Sequence, residues 1–288
     1  MSGRAAAISG GSGERGSGER RSPEQASGED APDLPRSDGD LPSWDDLAEW
    51  WWRTFTNGAD IEYEQQILPL AEAHLAGCRR VLDIGTGEGQ LARRLAGAGK
   101  PGLVVGIDPF EGQLRNAVRQ GGGAVYVRAA GERLPFRRAS FDGIVCCLVI
   151  EHAADVDAVL AEAARLLAPA GRFLLVVNHP VVQGPGSGFV DDRVLGEQYW
   201  RIGPYLTESV SVEEVDPGVP ILFRHRPLSR YVNPLCGMGL VLTALEEPEP
   251  PIDFLTDSLD LDLERAMPRL CVMRFERPAQ AQEWRRDG

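Results

Sequence analysis

A glycine-rich turn follows a short apolar segment in the first third of the chain. It reads Gly85-Thr-Gly-Glu-Gly89, and Asp83 lies just before it. Glycines between a strand and a helix let the backbone approach a ligand closely, and the first helical amides favour an anionic or carboxylate-bearing group. Gln90 stands where a dinucleotide fingerprint has its third spaced glycine, which argues against NAD. The alternative is a tight turn that binds no ligand.

Asp108 closes the next predicted strand, about 20 residues beyond the glycine turn. An acidic side chain at this place accepts hydrogen bonds from both ribose hydroxyls of a nucleoside. Its alternative role is to cap the helix that follows. The glycine-rich turn and Asp108 together predict a nucleoside-containing ligand more strongly than either feature does alone.

Three of the four histidines fall on segments that the fold brings near one edge of the sheet. His152 follows a central apolar strand directly after Glu151, His179 leaves the next strand, and His225 follows a long insertion. Imidazole suits proton transfer near neutral pH, so these three are the candidate catalytic side chains. Glu151 could bind a cationic group of the ligand or accept a proton. The alternatives are capping or packing for His152 and a surface or hinge position for His225.

Strand and helix patterns alternate around these residues, which is typical of a parallel sheet with crossover helices. We expect an α/β fold with a doubly wound, mostly parallel seven-stranded sheet, and ligands at the carboxyl ends of its strands. The predicted strands are 80–84, 103–107, 124–127, 141–149, 172–177, 240–245 and 270–275, with helices at 90–96, 112–120, 156–167 and 228–238.

The remaining segments divide the chain into regions. Residues 1–41 are rich in Gly, Ser and charged residues and predict a disordered tail, and 278–288 predict a flexible end. Residues 42–277 form one domain, in which 42–79 are N-terminal helices, 80–179 the core, and 180–224 an aromatic-rich substrate lid with one strand at 210–215. Within 42–79, the run Trp50-Trp-Trp52 has three open interpretations: a wall facing the substrate, core packing, or a dimer contact.

Composition excludes several classes of partner. The formal net charge is −13, and without a basic cluster this makes nucleic acid a poor partner. No apolar run approaches the roughly 18 residues of a membrane span, so we expect a soluble protein that does not bind membranes. Five cysteines without a CxxC pair or a cluster predict no metal and a reducing, cytoplasmic location. The oligomeric state stays open between monomer and homodimer.

Five segments occur in the order seen in class I S-adenosylmethionine-dependent methyltransferases. They are Val81-Leu-Asp-Ile-Gly-Thr-Gly-Glu-Gly89, Gly106-Ile-Asp108, Glu132-Arg-Leu-Pro-Phe136, Ser140-Phe-Asp142 and Arg165-Leu-Leu-Ala-Pro-Ala-Gly171. The chain most resembles the branch that includes quinone-biosynthesis and natural-product enzymes. The resemblance implies S-adenosyl-L-methionine as cofactor and methyl transfer to a small organic molecule, at oxygen or carbon.

The resemblance also implies roles for individual residues. Gly85 and Gly87 would face the methionine part of the cofactor, and Asp108 would hold the ribose. Ala130 stands where the family commonly has an acid for the adenine amino group, so that contact would pass to Glu132, a backbone carbonyl or water. The full set of expected cofactor contacts is Asp83, Gly85, Thr86, Gly87, Gly89, Asp108, Pro109, Gly131, Glu132, Leu148 and Glu151.

Three rival functions stay open. A catalytically silent cofactor-binding scaffold would bind the cofactor without turnover, and Ala130 favours it modestly. A protein methyltransferase would have an open groove at residues 181–224 instead of a closed apolar pocket. A dinucleotide oxidoreductase would bind NAD in preference to S-adenosylhomocysteine.

Overall fold

The computed structural model describes residues 41–56, 59–97, 101–255 and 261–279. Apart from residues 41, 278 and 279, the predictions of a disordered tail and a flexible end lie outside the described residues. In chain order the strands are β1 (Arg80–Ile84), β2 (Leu103–Asp108), β3 (Val125–Arg128), β4 (Phe141–Cys147), β5 (Leu167–Asn178), β6 (Gly188–Asp192), β7 (Glu197–Arg201), β8 (Ser209–Asp216), β9 (Val219–His225), β10 (Val241–Glu246) and β11 (Leu270–Glu276). The helices are α1 (Ala48–Phe55), α2 (Leu68–His74), α3 (Gln90–Gly97), α4 (Glu111–Gln120), α5 (Val156–Leu166), α6 (Ser229–Gly237) and α7 (Leu261–Arg265).

Seven strands form the central sheet in the order β10-β11-β5-β4-β1-β2-β3. The five strands from β5 to β3 pair in parallel, and β11 runs antiparallel between β5 and β10. The predicted mostly parallel, seven-stranded fold is therefore confirmed. The chain builds outward from β1 to β3 and then returns to place β4 on the other side of β1. This reversal is the switch point at which such sheets bind ligands.

The central strand β4 shows how helices cover both faces of the sheet. Its alternate residues Ile144 and Cys146 pack in one buried cluster with residues of α5 and α6. Val145 and Cys147 point to the opposite face and pack with residues of α2 and α3. Because both faces are buried, the strand is apolar along most of its length, as is typical of parallel sheets.

The N-terminal helices differ in detail from the predicted ones. Ser43 and Asp46 form a reciprocal capping arrangement, in which the Ser43 amide donates to the Asp46 carboxylate at 2.9 Å. Helix α1 itself begins only at Ala48. The predicted second helix opens with a π-helix, Tyr63–Ile67, that continues directly into α2. A π-helical turn is uncommon and is found frequently at functional sites.

The insertion (residues 180–224) contains two antiparallel hairpins, β6–β7 and β8–β9, where the sequence predicted one strand. The β8–β9 hairpin packs on the N-terminal region, because Leu47 forms a small buried cluster with Val219 and Ile221. The Trp50 indole also donates to the Asp216 carboxylate at 2.9 Å.

Two negative findings concern the described residues. No helix there is both long enough and apolar enough to cross a bilayer. The same part of the chain has no group of three or more His, Cys, Asp or Glu side chains arranged to hold a metal ion.

Candidate active site

A cavity of about 340 Å³ lies at the carboxyl ends of β1, β2 and β4, at the switch point of the sheet. This volume is within the range of small-molecule sites. Its lining includes most of the expected cofactor contacts, namely Asp83, Gly85, Thr86, Gly87, Asp108, Pro109, Gly131, Glu132 and Leu148. Gly89 and Glu151 are not among the lining residues.

The three glycines of the glycine turn (residues 85–89) have different surroundings. Gly85 has φ of 72°, and a Cβ there would come within 2.4 Å of the Val149 side chain. Gly89 supports the turn from outside the cavity, since a Cβ there would meet the Tyr126 hydroxyl at 2.4 Å. Gly87 has φ of 55°, and its Cβ would enter open space with only the Gln113 amide oxygen nearby, at 3.9 Å. Gly87 therefore leaves room for a ligand against the backbone.

Asp108 ties the end of β2 to the glycine turn. Its two carboxylate oxygens accept hydrogen bonds from the Gly87 amide at 3.0 Å and the Phe110 amide at 2.9 Å. Burial raises the pKa of Asp108 to about 6. Since each carboxylate oxygen has two lone pairs, the group still has acceptor capacity for a ligand's hydroxyls.

Asp83 stabilises the glycine turn from its buried side. It is almost fully buried in β1, and its carboxylate accepts a hydrogen bond of 2.6 Å from the Thr86 hydroxyl. Burial raises the pKa of Asp83 to about 7, while the Thr86 hydrogen bond partly opposes this rise. The free protein therefore carries a carboxyl group that a nearby positive charge would ionise.

The chain leaves β4 through a strained residue. Leu148 adopts a left-handed conformation with φ of 53°, which is uncommon for a residue with a branched side chain, and it lines the cavity. Strain of this kind clusters at functional sites. Nearby, one oxygen of the buried Glu151 carboxyl accepts from the Asn178 amide at 2.7 Å, and the other has no partner among the described residues. Burial raises the pKa of Glu151 to about 7.

The opposite wall of the cavity is aromatic and comes from the N-terminal region. Trp51 stacks on Phe55 with ring centroids 4.3 Å apart, and both rings line the cavity with Trp44 and Tyr63. Of the three interpretations of the tryptophan run, a wall facing the ligand therefore fits Trp51. Sequence reasoning missed the other three rings, because contacts between an N-terminal segment and distant strand ends leave no local pattern.

The three candidate histidines have separate environments. His152 lines the cavity, and its Nδ1 lies 2.9 Å from the Leu222 carbonyl oxygen. Burial lowers the pKa of the His152 imidazole, and the nearby Arg224 charge adds to this effect.

The structure does not bring His179 and His225 to the cavity lining. The Nε2 of His179 lies 2.8 Å from the Glu247 carboxylate, and that of His225 lies 2.8 Å from the Tyr205 carbonyl oxygen. The insertion, predicted as a substrate lid, is likewise not part of the lining, and its β8–β9 hairpin packs against the N-terminal region that carries the wall. Both histidines therefore have their ring nitrogens engaged by partners outside the cavity lining, and a catalytic role for them stays a prediction.

The charges around the cavity favour a cationic ligand. Carboxyl groups of Asp83, Asp108 and Glu132 line it, together with Glu88, which pairs with Arg93 at 2.6 Å. Among the described residues, no lysine or arginine lines the cavity. A ligand with a net negative charge would meet repulsion that no lysine or arginine of the lining compensates.

Comparisons with known proteins agree with this geometry. A family model described as a methyltransferase domain matches residues 82–175. An uncharacterized methyltransferase of Mycobacterium bovis is 30% identical over 188 residues, which cover 64% of this chain and 72% of that protein. The chain belongs to the methyltransferase domain family. The resemblance predicted from the five sequence segments is thereby confirmed.

Two further proteins are similar to this chain. A demethylmenaquinone methyltransferase of Deinococcus radiodurans is 37% identical over 137 residues, which cover 46% of this chain and 56% of that protein. The chain thus spans little more than half the length of that relative. The solved structure of an S-adenosylmethionine dependent methyltransferase from Mesorhizobium loti is 25% identical with a TM-score of 0.61, and the match covers 82% of this chain and 100% of that one.

Proposed function

We propose that the chain is an S-adenosylmethionine-dependent methyltransferase that acts on a small organic molecule. The observation that carries the proposal is the open space above Gly87 beside the Asp108 carboxylate, at the switch point of a methyltransferase fold. When bound, S-adenosylmethionine supplies a methyl group on positively charged sulfur, and the transfer leaves S-adenosylhomocysteine. Since the cofactor activates the methyl group, the main task of the protein is to hold donor and acceptor in line.

The residues of the cavity fit this cofactor. Gly85 and Gly87 would bind the methionine part, and Asp108 would accept from the ribose hydroxyls with its remaining lone pairs. The Gly131 amide and Glu132 would meet the adenine, as the chain has Ala130 at the position of the usual acid. The excess of carboxyl groups around the cavity suits a ligand with a sulfonium and an ammonium group.

The acceptor would lie against the aromatic wall formed by Trp44, Trp51, Phe55 and Tyr63. Rings of this kind favour a flat, apolar acceptor, and the name of the Deinococcus relative supports a quinone-like one. Of the catalytic candidates, His152 lines this space, whereas Glu151 lies outside the lining and would act from there.

The free state of all five cysteines, four of which are buried, supports our proposal that the protein works in the cytoplasm. Two statements about partners stay predictions: nucleic acid is an unsuitable partner, and the protein is either a monomer or a homodimer.

Tryptophan fluorescence tests the proposal, because Trp44 and Trp51 line the cavity and report its occupation. S-adenosylhomocysteine should change the fluorescence saturably, and Asp108→Ala should abolish this change while the protein stays folded. Glu111→Ala is the matched control, since Glu111 is an exposed acid at the start of α4 that pairs with Arg128. A response that survives Asp108→Ala would place the ligand elsewhere, and binding without turnover on any acceptor would favour the silent scaffold.

A further inference from the structure

We infer that His152 presents the lone pair of its Nε2 to the acceptor's reacting O–H or N–H group, and that strand β9 of the insertion holds it in this tautomer. This inference rests on the proposed function and narrows the acceptor to molecules that lose a proton when they are methylated. It also assigns a role to Arg226, which lies outside the cavity lining, as a positioning residue.

The tautomer follows from the partner of Nδ1. The Leu222 carbonyl oxygen, 2.9 Å away, is an acceptor only, so Nδ1 must carry the hydrogen. In a neutral imidazole the other ring nitrogen then has the lone pair. Leu222 belongs to β9, so the backbone of the insertion fixes the chemistry that His152 offers.

The position of the ring makes this lone pair available. Trp44 and Phe223 hold the imidazole by edge and tilted contacts, with centroids 5.1 and 4.9 Å from it. Nε2 has no hydrogen-bond partner among the described residues, and it is not one of their buried unpaired polar atoms. Since the ring lines the cavity and its Nδ1 is engaged by Leu222, Nε2 is the ring nitrogen left to face the open space where the acceptor would lie.

Arg226 fixes the loop that carries His152. Its guanidinium is buried and donates to the Ile150 carbonyl oxygen at 2.9 Å and the Ala153 carbonyl oxygen at 2.7 Å. The Arg224 amide adds a bond of 2.8 Å to the Glu151 carbonyl oxygen. Residues on both sides of His152 are thus anchored to β9 and to the residue just beyond it, so we expect changes in this part of the chain to alter a site that it does not line.

The proton and electron balance is simple. As the acceptor's oxygen or nitrogen bonds to the methyl carbon, its proton moves to Nε2 and the electron pair of the former O–H or N–H bond stays on the acceptor. The pair of the broken carbon–sulfur bond stays on sulfur. The imidazolium then returns the proton to solvent. An acceptor without such a proton, for example a tertiary amine, would gain nothing from this nitrogen.

Nitrogen NMR of protein labelled in its four histidines tests the inference without knowledge of the natural acceptor. In the complex with S-adenosylhomocysteine, His152, assigned through His152→Gln, should show a protonated Nδ1 and an unprotonated Nε2. One hydrogen bond favours this tautomer roughly 5- to 30-fold. A protonated Nε2 would overturn the inference. If S-adenosylhomocysteine fails to bind the unaltered protein, the proposed function fails, whereas binding together with a protonated Nε2 overturns the inference alone.

Arg226→Lys tests the positioning role, because a lysine cannot span both carbonyl groups in the planar geometry of a guanidinium. We expect mixed tautomers or a broadened His152 signal, and an unchanged signal would remove Arg226 from the account. If this variant does not fold, Phe223→Leu tests the other half of the inference, because it loosens the contact that β9 makes with the imidazole ring, and it must give the same broadening.

A naphthol and its methyl ether, methoxynaphthalene, form a matched pair of probes for the lone pair itself. We expect the naphthol to shift the Nε2 resonance and the ether, which has no donor, to leave it in place. A naphthol that quenches the cavity tryptophans without moving this resonance would contradict the proposed contact.

Discussion

Replacement of Gly87 by alanine separates the ligand-binding role of the glycine turn from its folding role. The added methyl group would meet no protein atom closer than the Gln113 amide oxygen at 3.9 Å, so it points into the cavity that both residues line. The folded state would lose about 1–2 kcal/mol, because alanine must adopt the left-handed φ of 55°. For a domain of this size, that loss lowers the melting temperature by about 2–8 °C.

The cofactor, in contrast, would meet an extra methyl group at its closest approach to the backbone. Overpacking of this kind costs about 1–3 kcal/mol, which weakens binding roughly 5- to 150-fold. Gly77→Ala is the matched control, since Gly77 has φ of 86°, has no neighbour within 4 Å of its Cβ position, and lies before β1, away from the cavity. Thermal melting and calorimetric titration with S-adenosylhomocysteine measure the two effects. Similar melting with weaker binding only in Gly87→Ala is expected, and full affinity in Gly87→Ala would refute the assignment of the turn.

Three further predictions concern pH, the N-terminal region and thiol reactivity. Because the folded pKa of Asp83 is raised from 3.8 to about 7, its contribution to stability is present at low pH and lost as pH rises through about 7, so Asp83→Asn should gain stability relative to the parent between pH 5 and 8 in melting experiments. A difference that is constant across this range would contradict the burial argument. Trp50→Phe should lower the free energy of unfolding in urea by about 0.5–1.5 kcal/mol through loss of the Asp216 hydrogen bond, and a midpoint equal to that of the parent would show that this bond is dispensable. Iodoacetamide should label the exposed Cys236 first, because the other four cysteines are buried, and mass spectrometry that finds a buried thiol labelled equally fast would argue against the packing described.

The middle of the central sheet was predictable from the sequence because its inner strands, such as β1, β4 and β11, are buried on both faces. Long apolar runs such as 141–149, each followed by a segment of helical periodicity, indicated strands that alternate with helices. Strand β1 begins and ends at the predicted residues. The glycine turn and Asp108 were also predictable, since their roles depend on backbone geometry within a short stretch of chain.

The insertion and the aromatic wall were harder to predict for a physical reason. In strand β6 the apolar pair Phe189-Val190 is followed by the acidic pair Asp191-Asp192, so the strand lacks the alternation that marks a half-buried strand. The wall depends on contacts between residues far apart in sequence, as with Trp44 and His152. For the same reason, a shared sheet edge did not show that His152 enters the cavity whereas His179 turns to Glu247.

Calorimetric titration with S-adenosylhomocysteine and, in parallel, with NAD is the most direct test of the central claim. The claim is that the cavity between β1, β2 and β4 is a site for a sulfonium nucleoside. We predict saturable binding of one S-adenosylhomocysteine per chain, abolished by Asp108→Ala, and no heat with NAD. An absence of binding by S-adenosylhomocysteine, or tighter binding of NAD, would contradict the account.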